Sequence, residues 1–348
     1  MSFAQLTKKF RSFFVPGAVL LLVFLVVSLS YWPLSAAAWG TFTTIFLGIF
    51  IEAVPFLMIG TFASGLVEVY VAQDTIQKWT PKSPLLSAFA GSILGLFFPV
   101  CECGVVPLVR RLFRKGLPIP TGVAFLLAAP IINPIVILST ATAFGFGQML
   151  LMRVGFALVV SVITGLVFAT AGAPQEILRS VACAPSTPEE QNGHHHDFQC
   201  QHCHDVGDDY GQKSKMSRVF QVSLEEFYEI GRFLVLGAAI AAGMQTLIPQ
   251  NILLDIGRGP VLSVLVMMVL AVLLSICSTV DSFVALGFVN IFSTGSVLGF
   301  LLFGPMVDIK SVLMFLQVFR GRAVLYLVSI PLVLAILISV SLNYFASW

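Results

Sequence analysis

Residues 101–104 read Cys-Glu-Cys-Gly, lie between Pro99 and Pro107 at the end of an apolar run, and are followed by Arg110, Arg111, Arg114 and Lys115. Two thiols one residue apart form a ligand pair for a soft ion, because thiolates select soft metals and metalloids over hard ones. The plainer alternative is that small, weakly polar cysteines simply pack well against helices. Each proline removes a backbone donor and kinks or ends a helix, and Gly104 loosens it further. A helix broken here would free amides and carbonyls to face a solute, as at the midplane sites of transporters. Read as extended chain, the tripeptide puts Cys101 and Cys103 on one side and Glu102 on the other. So short a loop would strain a Cys101–Cys103 disulfide.

Four acids, Glu52, Glu102, Asp281 and Asp308, also fall in apolar stretches. A carboxylate at the centre of a membrane helix costs roughly 2.5–3.5 kcal/mol on insertion scales, so each is a functional candidate by default. We assign proton coupling to Glu102, Asp281 and Glu52. Substrate contact is assigned to Cys101, Cys103, Cys277, Asn133 and Asp308. The competing reading for the acids is structural ion pairing, with Arg232 or Lys310 as partners.

A third constellation is the run HHHDFQCQHCH at 194–204, which holds all five histidines of the chain and two of its six cysteines. Its His194, His195, His196, Cys200, His202, Cys203 and His204 combine imidazoles with a Cys-x-x-Cys, which is metal-ligand chemistry. The alternative is an accidental polar tract with metal affinity but no role. No cofactor is expected to be required; a metal ion on this segment is the one candidate.

The elements that position these residues are set by composition. The chain is 348 residues long, 57% hydrophobic and 10% charged, with a net charge of +2. Ordinary soluble domains carry about 25% charged residues, so lipid must solvate much of this surface. No basic stripe suits nucleic acid. Nothing resembles an ATP-binding loop, so the energy for transport would come from an ion gradient or a separate subunit. The fold class is an all-α polytopic membrane protein, not an enzyme, with a small molecule or ion as substrate and the bilayer as surroundings. Its oligomeric state stays open.

Residues 13–32 read as an uncleaved first span, because the run exceeds an ordinary signal-peptide core. Apolar stretches follow near 41–66, 85–109, 119–144, 149–172, 226–248, 261–289, 296–319 and 323–345. Residues 173–220 change character and read as a polar linker. The chain therefore divides into an N-terminal span (1–40), a first membrane repeat (41–172), a His/Cys-rich linker (173–220) and a second membrane repeat (221–348).

The repeats are suggested by FLLAAPIIN (125–133) beside FLLFGPMVD (300–308), Cys101 beside Cys277, and FLMIG (56–60) beside FLVLG (233–237), all at nearly one offset. Asn133 and Asp308 then hold the same repeat position, after Pro130 and Pro305. If 85–109 and 261–289 each enter and return on one side, breaking at Cys101–Gly104 and Cys277–Thr279, the second half is inverted relative to the first. Most Lys and Arg then lie on the cytoplasmic side with the linker. Arg153 and Arg258 lie outside, and Arg232 and Lys310 lie within spans, as the positive-inside rule favours. Hairpins at membrane depth need protein or a cavity around them.

With these motifs in hand, residues 97–144 together with CSTVDSF (277–283) and FGPMVDIKS (303–311) resemble the bacterial predicted-permease family that includes the ArsP organoarsenical efflux permeases and the YraQ-type proteins. The resemblance covers both membrane halves and leaves out the linker. It implies a multi-pass permease of the bacterial inner membrane, some of whose relatives export trivalent arsenicals. The expected function is gradient-driven export of a thiophilic metalloid or heavy metal. The alternatives are a permease for another small solute with structural cysteines, and a non-transporting membrane metal sensor.

Overall fold

The computed structural model describes residues 36–72, 76, 80–81, 83–98, 100–170, 177–179, 215–247, 259–289 and 291–345. The first span, the His/Cys run and most of the linker lie outside the described residues, as does Pro99. The described elements are helices, which follow one another in two similar sets of six. The first set is α1 (Ala36–Tyr70), α2 (Pro84–Phe97), α3 (Glu102–Arg114), α4 (Ile119–Ala128), α5 (Pro134–Phe144) and α6 (Gln148–Thr170). The second is α7 (Lys215–Leu247), α8 (Leu262–Leu274), α9 (Ser278–Leu286), α10 (Thr294–Met306), α11 (Ile309–Val318) and α12 (Gly321–Phe345). Long helices thus flank two pairs of half-length ones in each set.

Among the described residues, five segments are long and apolar enough to cross a membrane: 38–70, 148–170, 215–246, 294–318 and 321–345. Their outer faces are apolar, as expected where lipid replaces water. Ile51, Met58, Leu151, Leu325 and Leu337 are all more than half exposed. The protein is an all-α, multi-pass membrane protein.

The short helices owe their ends to identifiable residues. Cys101 and Cys277 are the N-cap residues of α3 and α9, both in extended conformation. Before α9 the chain turns at Ser275, a non-glycine residue in the left-handed region at φ 46°. Asn133 caps α5, its Oδ1 accepting from the amides of Ile135 and Val136, and Pro134 opens the helix where no donor is needed. Asp308 caps α11, accepting from the Ser311 amide at 2.6 Å. The expected breaks are therefore present, displaced toward the N-terminus of the expected positions. Gly104 and Thr279 fall inside the first turns of α3 and α9.

Contacts fix how the pieces run. Helices α1 and α7 pack antiparallel, with Phe62 against Phe220 near one end and Ile49 clustered with Ala238 and Ala241 nearer the other. Lys115, just past α3, donates to the carbonyls of Glu68 and Val71 at the end of α1. Phe113 meets Phe319 at the same end. Helix α2 runs alongside α4, Ser87 bonding Thr121 and Gly95 lying beside Ala129, so α2 enters from that end and α3 returns to it. At the opposite end Asn343 of α12 accepts from the Gly295 amide and donates to the Pro260 carbonyl. Helix α8 starts there beside α10, through Ser263 and Ser296, and α9 returns there, with Phe288 against Phe292 and Phe300. The two hairpins, α2–α3 and α8–α9, thus penetrate from opposite ends, and the pairs α4–α5 and α10–α11 run through as broken helices. Between halves, α3 packs on α11 and α5 on α9.

Two glycines at the same repeat position make these approaches close. A Cβ on Gly60 of α1 would collide with the backbone of Gly104 on α3, and one on Gly237 of α7 would lie 2.9 Å from Cα of Lys310 on α11.

Candidate functional site

Where the hairpin tips meet, one small cavity is lined by Glu52 and Phe56 of α1, Cys101, Glu102 and Cys103 at the first tip, Cys277 at the second, and Lys310 of α11. A second cavity continues from it, sharing Phe56, Cys101 and Cys277 and adding Asn133, Val136 and Thr279. Thiols from both halves therefore face one space. Thr279 Oγ1 donates to the Cys277 thiol at 3.6 Å. All three cysteines are free and buried.

The expectation that Glu102 would point away from the two thiols is corrected. The extended chain stops at Cys101, and Glu102 and Cys103 already belong to α3, where successive side chains turn by about 100° rather than alternate. All three side chains consequently line the same cavity.

Glu102 is 4% exposed, and its Oε1 lies 3.5 Å from Nζ of Lys310, which is 2% exposed. The same ammonium stands 3.3 Å from Asp308 Oδ2. One cation thus bridges a carboxylate of the first half and one of the second. Glu102 Oε2 is buried without a hydrogen-bond partner. Asn133 takes the place in the first half that Asp308 takes in the second, donating to the carbonyls of Ala129 and Val100. Among the described residues, no three His, Cys, Asp or Glu side chains converge closely enough to hold a metal ion.

Asp281 is placed elsewhere. Both its carboxylate oxygens accept from Arg153 of α6, at 2.9 and 3.0 Å. The guanidinium also donates to Thr140, Ser282 and the Ser278 carbonyl. Arg153 is 0% exposed. It sits within the apolar stretch expected at 149–172, inside a membrane helix, tolerated there because α5 and α9 give it acceptors. Of the two cations named as partners for the buried acids, Lys310 does pair with them, whereas Arg232 lies over the ring of Phe233.

A second ionic group marks the end of α3. Arg110 pairs with Glu229 at 2.9 Å, and Arg111 reaches Glu226 and Glu68. Glu226 also accepts from Ser64 at 2.5 Å. Sequence reasoning missed these pairs, although the acids of EEFYE at 225–229 opposite a basic turn were a usable signal.

Residues 38–344 match the family described as a predicted permease. The protein YcgR of Bacillus subtilis is 42% identical over 294 residues, covering 84% of this chain and 94% of its own length. A protein of Streptococcus mutans, named as a two-component membrane permease complex subunit, is 36% identical over 288 residues, covering 82% and 89%. A shorter match, 33% identical over 113 residues, is to a protein of Methanocaldococcus jannaschii; it covers 32% of this chain and 29% of that protein. No solved structure matches.

Proposed function

The chain belongs to the predicted-permease family, whose members are membrane transporters, and from that premise we propose that it exports a thiophilic metalloid or heavy metal. The observation that carries this reading is the meeting of Cys101, Cys103 and Cys277 from two opposed hairpins in one cavity beside buried carboxylates. A soft cargo needs sulfur ligands, and a transit site needs ligands it can leave in either direction. Thiols on two tips that approach from opposite ends supply both. As the halves rock, the cargo passes from Cys101 and Cys103 to Cys277, while Glu102 and Glu52 exchange protons. The face bearing Arg110 to Lys115 and the linker is cytoplasmic by the positive-inside rule, and the bacterial inner membrane is the setting. The His/Cys run on the linker captures or buffers the same soft ions before they enter.

The test is flux of a trivalent arsenical, antimonite, Cd²⁺ and Ag⁺ in proteoliposomes. Replacing Cys101 and Cys103 together by Ser keeps side-chain size but substitutes harder ligands, so transport of the accepted cargo should vanish while the protein stays folded. Removing Cys200 and Cys203 should have a smaller effect. Wild-type rates in the Cys101→Ser/Cys103→Ser protein would make the tripeptide a packing element. Orientation is checked with single cysteines introduced by Gly116→Cys and Ser186→Cys in a background without native cysteines. Both should resist impermeant thiol reagents in intact cells.

A further inference from the structure

We infer that Lys310 is a resident counter-cation that a positively charged cargo must displace, so the site selects a soft metal cation over a neutral metalloid or an oxyanion. This deepens the proposed function and rests on it. Glu52 and Glu102 line the cavity with the thiols, and the Lys310 ammonium beside them also pairs with a third carboxyl group, that of Asp308. With all of them ionised the cluster carries a surplus of negative charge, which repels an oxyanion and leaves a neutral solute no electrostatic advantage. The ammonium does not saturate its partners. It stands 3.3 and 3.5 Å from two of them, and Glu102 Oε2, buried in the cavity wall, has no hydrogen-bond partner. That oxygen and the neighbouring thiols are the ligand set a soft cation would complete. Among the described residues they do not converge as a metal site, and the Lys310 ammonium stands beside both Glu102 and Asp308.

The placement also explains how an empty transporter keeps acids at this depth. Removing one partner of a buried ion pair leaves an uncompensated charge, which is strongly unfavourable. Lys310 prevents that after the cargo has left, and it can do so for both halves because it joins α3 to α11. The titratable groups facing its ammonium are Glu52 from α1, Glu102 and Cys103 from α3, Cys277 from α9 and Asp308 from its own chain segment. Helix α7 approaches through Gly237, close to the Lys310 backbone.

Two measurements on purified protein test the inference. In the first, thermal unfolding of the wild type, Lys310→Gln and Lys310→Gln/Glu102→Gln is followed from about pH 6 to about pH 8.5, a range in which unpaired buried carboxyls change charge. Without the ammonium, an ionised Glu102 is left as a bare buried anion. Lys310→Gln should therefore lose stability relative to the wild type as pH rises, and the added Glu102→Gln should restore much of it. A pH-independent deficit, or no rescue, would overturn the counter-cation role.

In the second, Cd²⁺ binding is measured by calorimetry at about pH 8, with phenylarsine oxide and chromate as comparators. Removal of a competing cation should tighten Cd²⁺ binding roughly tenfold in Lys310→Gln and leave phenylarsine oxide nearly unchanged. Unchanged or weaker Cd²⁺ binding, or none to either protein, would overturn the displacement. The pH profile needs no cargo. Loss of every thiophile flux in the wild type would therefore sink the proposed function while leaving the counter-cation role of Lys310 to stand or fall by its own pH profile.

Discussion

The two hairpins occupy the same place in their repeats but are fastened differently. The second, α8–α9, is held by Arg153, which spends its donors on Asp281, Thr140, Ser282 and a carbonyl, all buried. The first, α2–α3, is held at its tip by a longer and looser pairing of Glu102 with Lys310, and at its foot by Arg110 with half-exposed Glu229. The first tip also carries two thiols where the second carries one. Thiols are thus concentrated on the hairpin with the longer ion pair, and the one held by the bidentate Arg153–Asp281 pair serves as its frame, although Arg153 Nε and Ser278 Oγ there are buried without partners. Motion during transport is expected on the side that carries the chemistry.

The largest effect is expected on the frame. Arg153→Met leaves Asp281 as a buried, unpaired carboxylate and should destabilise the protein by about 3–5 kcal/mol, read from thermal unfolding or from lost expression. Replacing Asp281 by Leu as well should recover most of that. Failure to recover would mean the pair does more than fasten α9 to α6, and would return Asp281 to the candidates for proton coupling.

A smaller effect tests the first hairpin's packing. Gly60→Ala drives a methyl group into the backbone of Gly104, and should cost about 1–3 kcal/mol and slow transport. Gly237→Ala pushes on Lys310 instead and should be milder, because its nearest contact is less severe. Equal effects would erase the difference drawn between the halves.

The smallest effect separates the helix caps. Asn133→Ala removes a cap with two acceptor bonds and should cost about 1 kcal/mol by denaturant titration. Asp308→Asn keeps a capping oxygen but gives up the charge facing Lys310.

Much of this arrangement is legible in the sequence. Pro99, Gly104 and Pro130 in apolar runs announce broken helices, although α3 runs on through Pro107, and the offset between Cys101 and Cys277 announces two equivalent tips. The direction of the Glu102 side chain is not legible, because the exact residue at which a helix starts decides between alternation and rotation, and sequence does not fix that residue. Arg153 escapes for a different reason. Its partner Asp281 is 128 residues away, so no local pattern marks the pair. Lys310 is visible as a cation within a span, but not as a bridge between halves, because that depends on α3 meeting α11.

That bridge has a consequence for biosynthesis. Glu102 enters the membrane with the first half, whereas the ammonium that pairs with it is translated roughly 200 residues later, which at about 5–20 residues per second is a wait of about 10–40 s. The same holds in reverse for Arg153, made long before Asp281. The first half is therefore born carrying two charges whose complements do not yet exist. The nascent first half must keep these groups hydrated or protonated, or hold them near the translocation machinery, until the second arrives. Ribosome stalling between residues 172 and 300 should consequently yield a chain that is inserted but open to proteolysis at its hairpin.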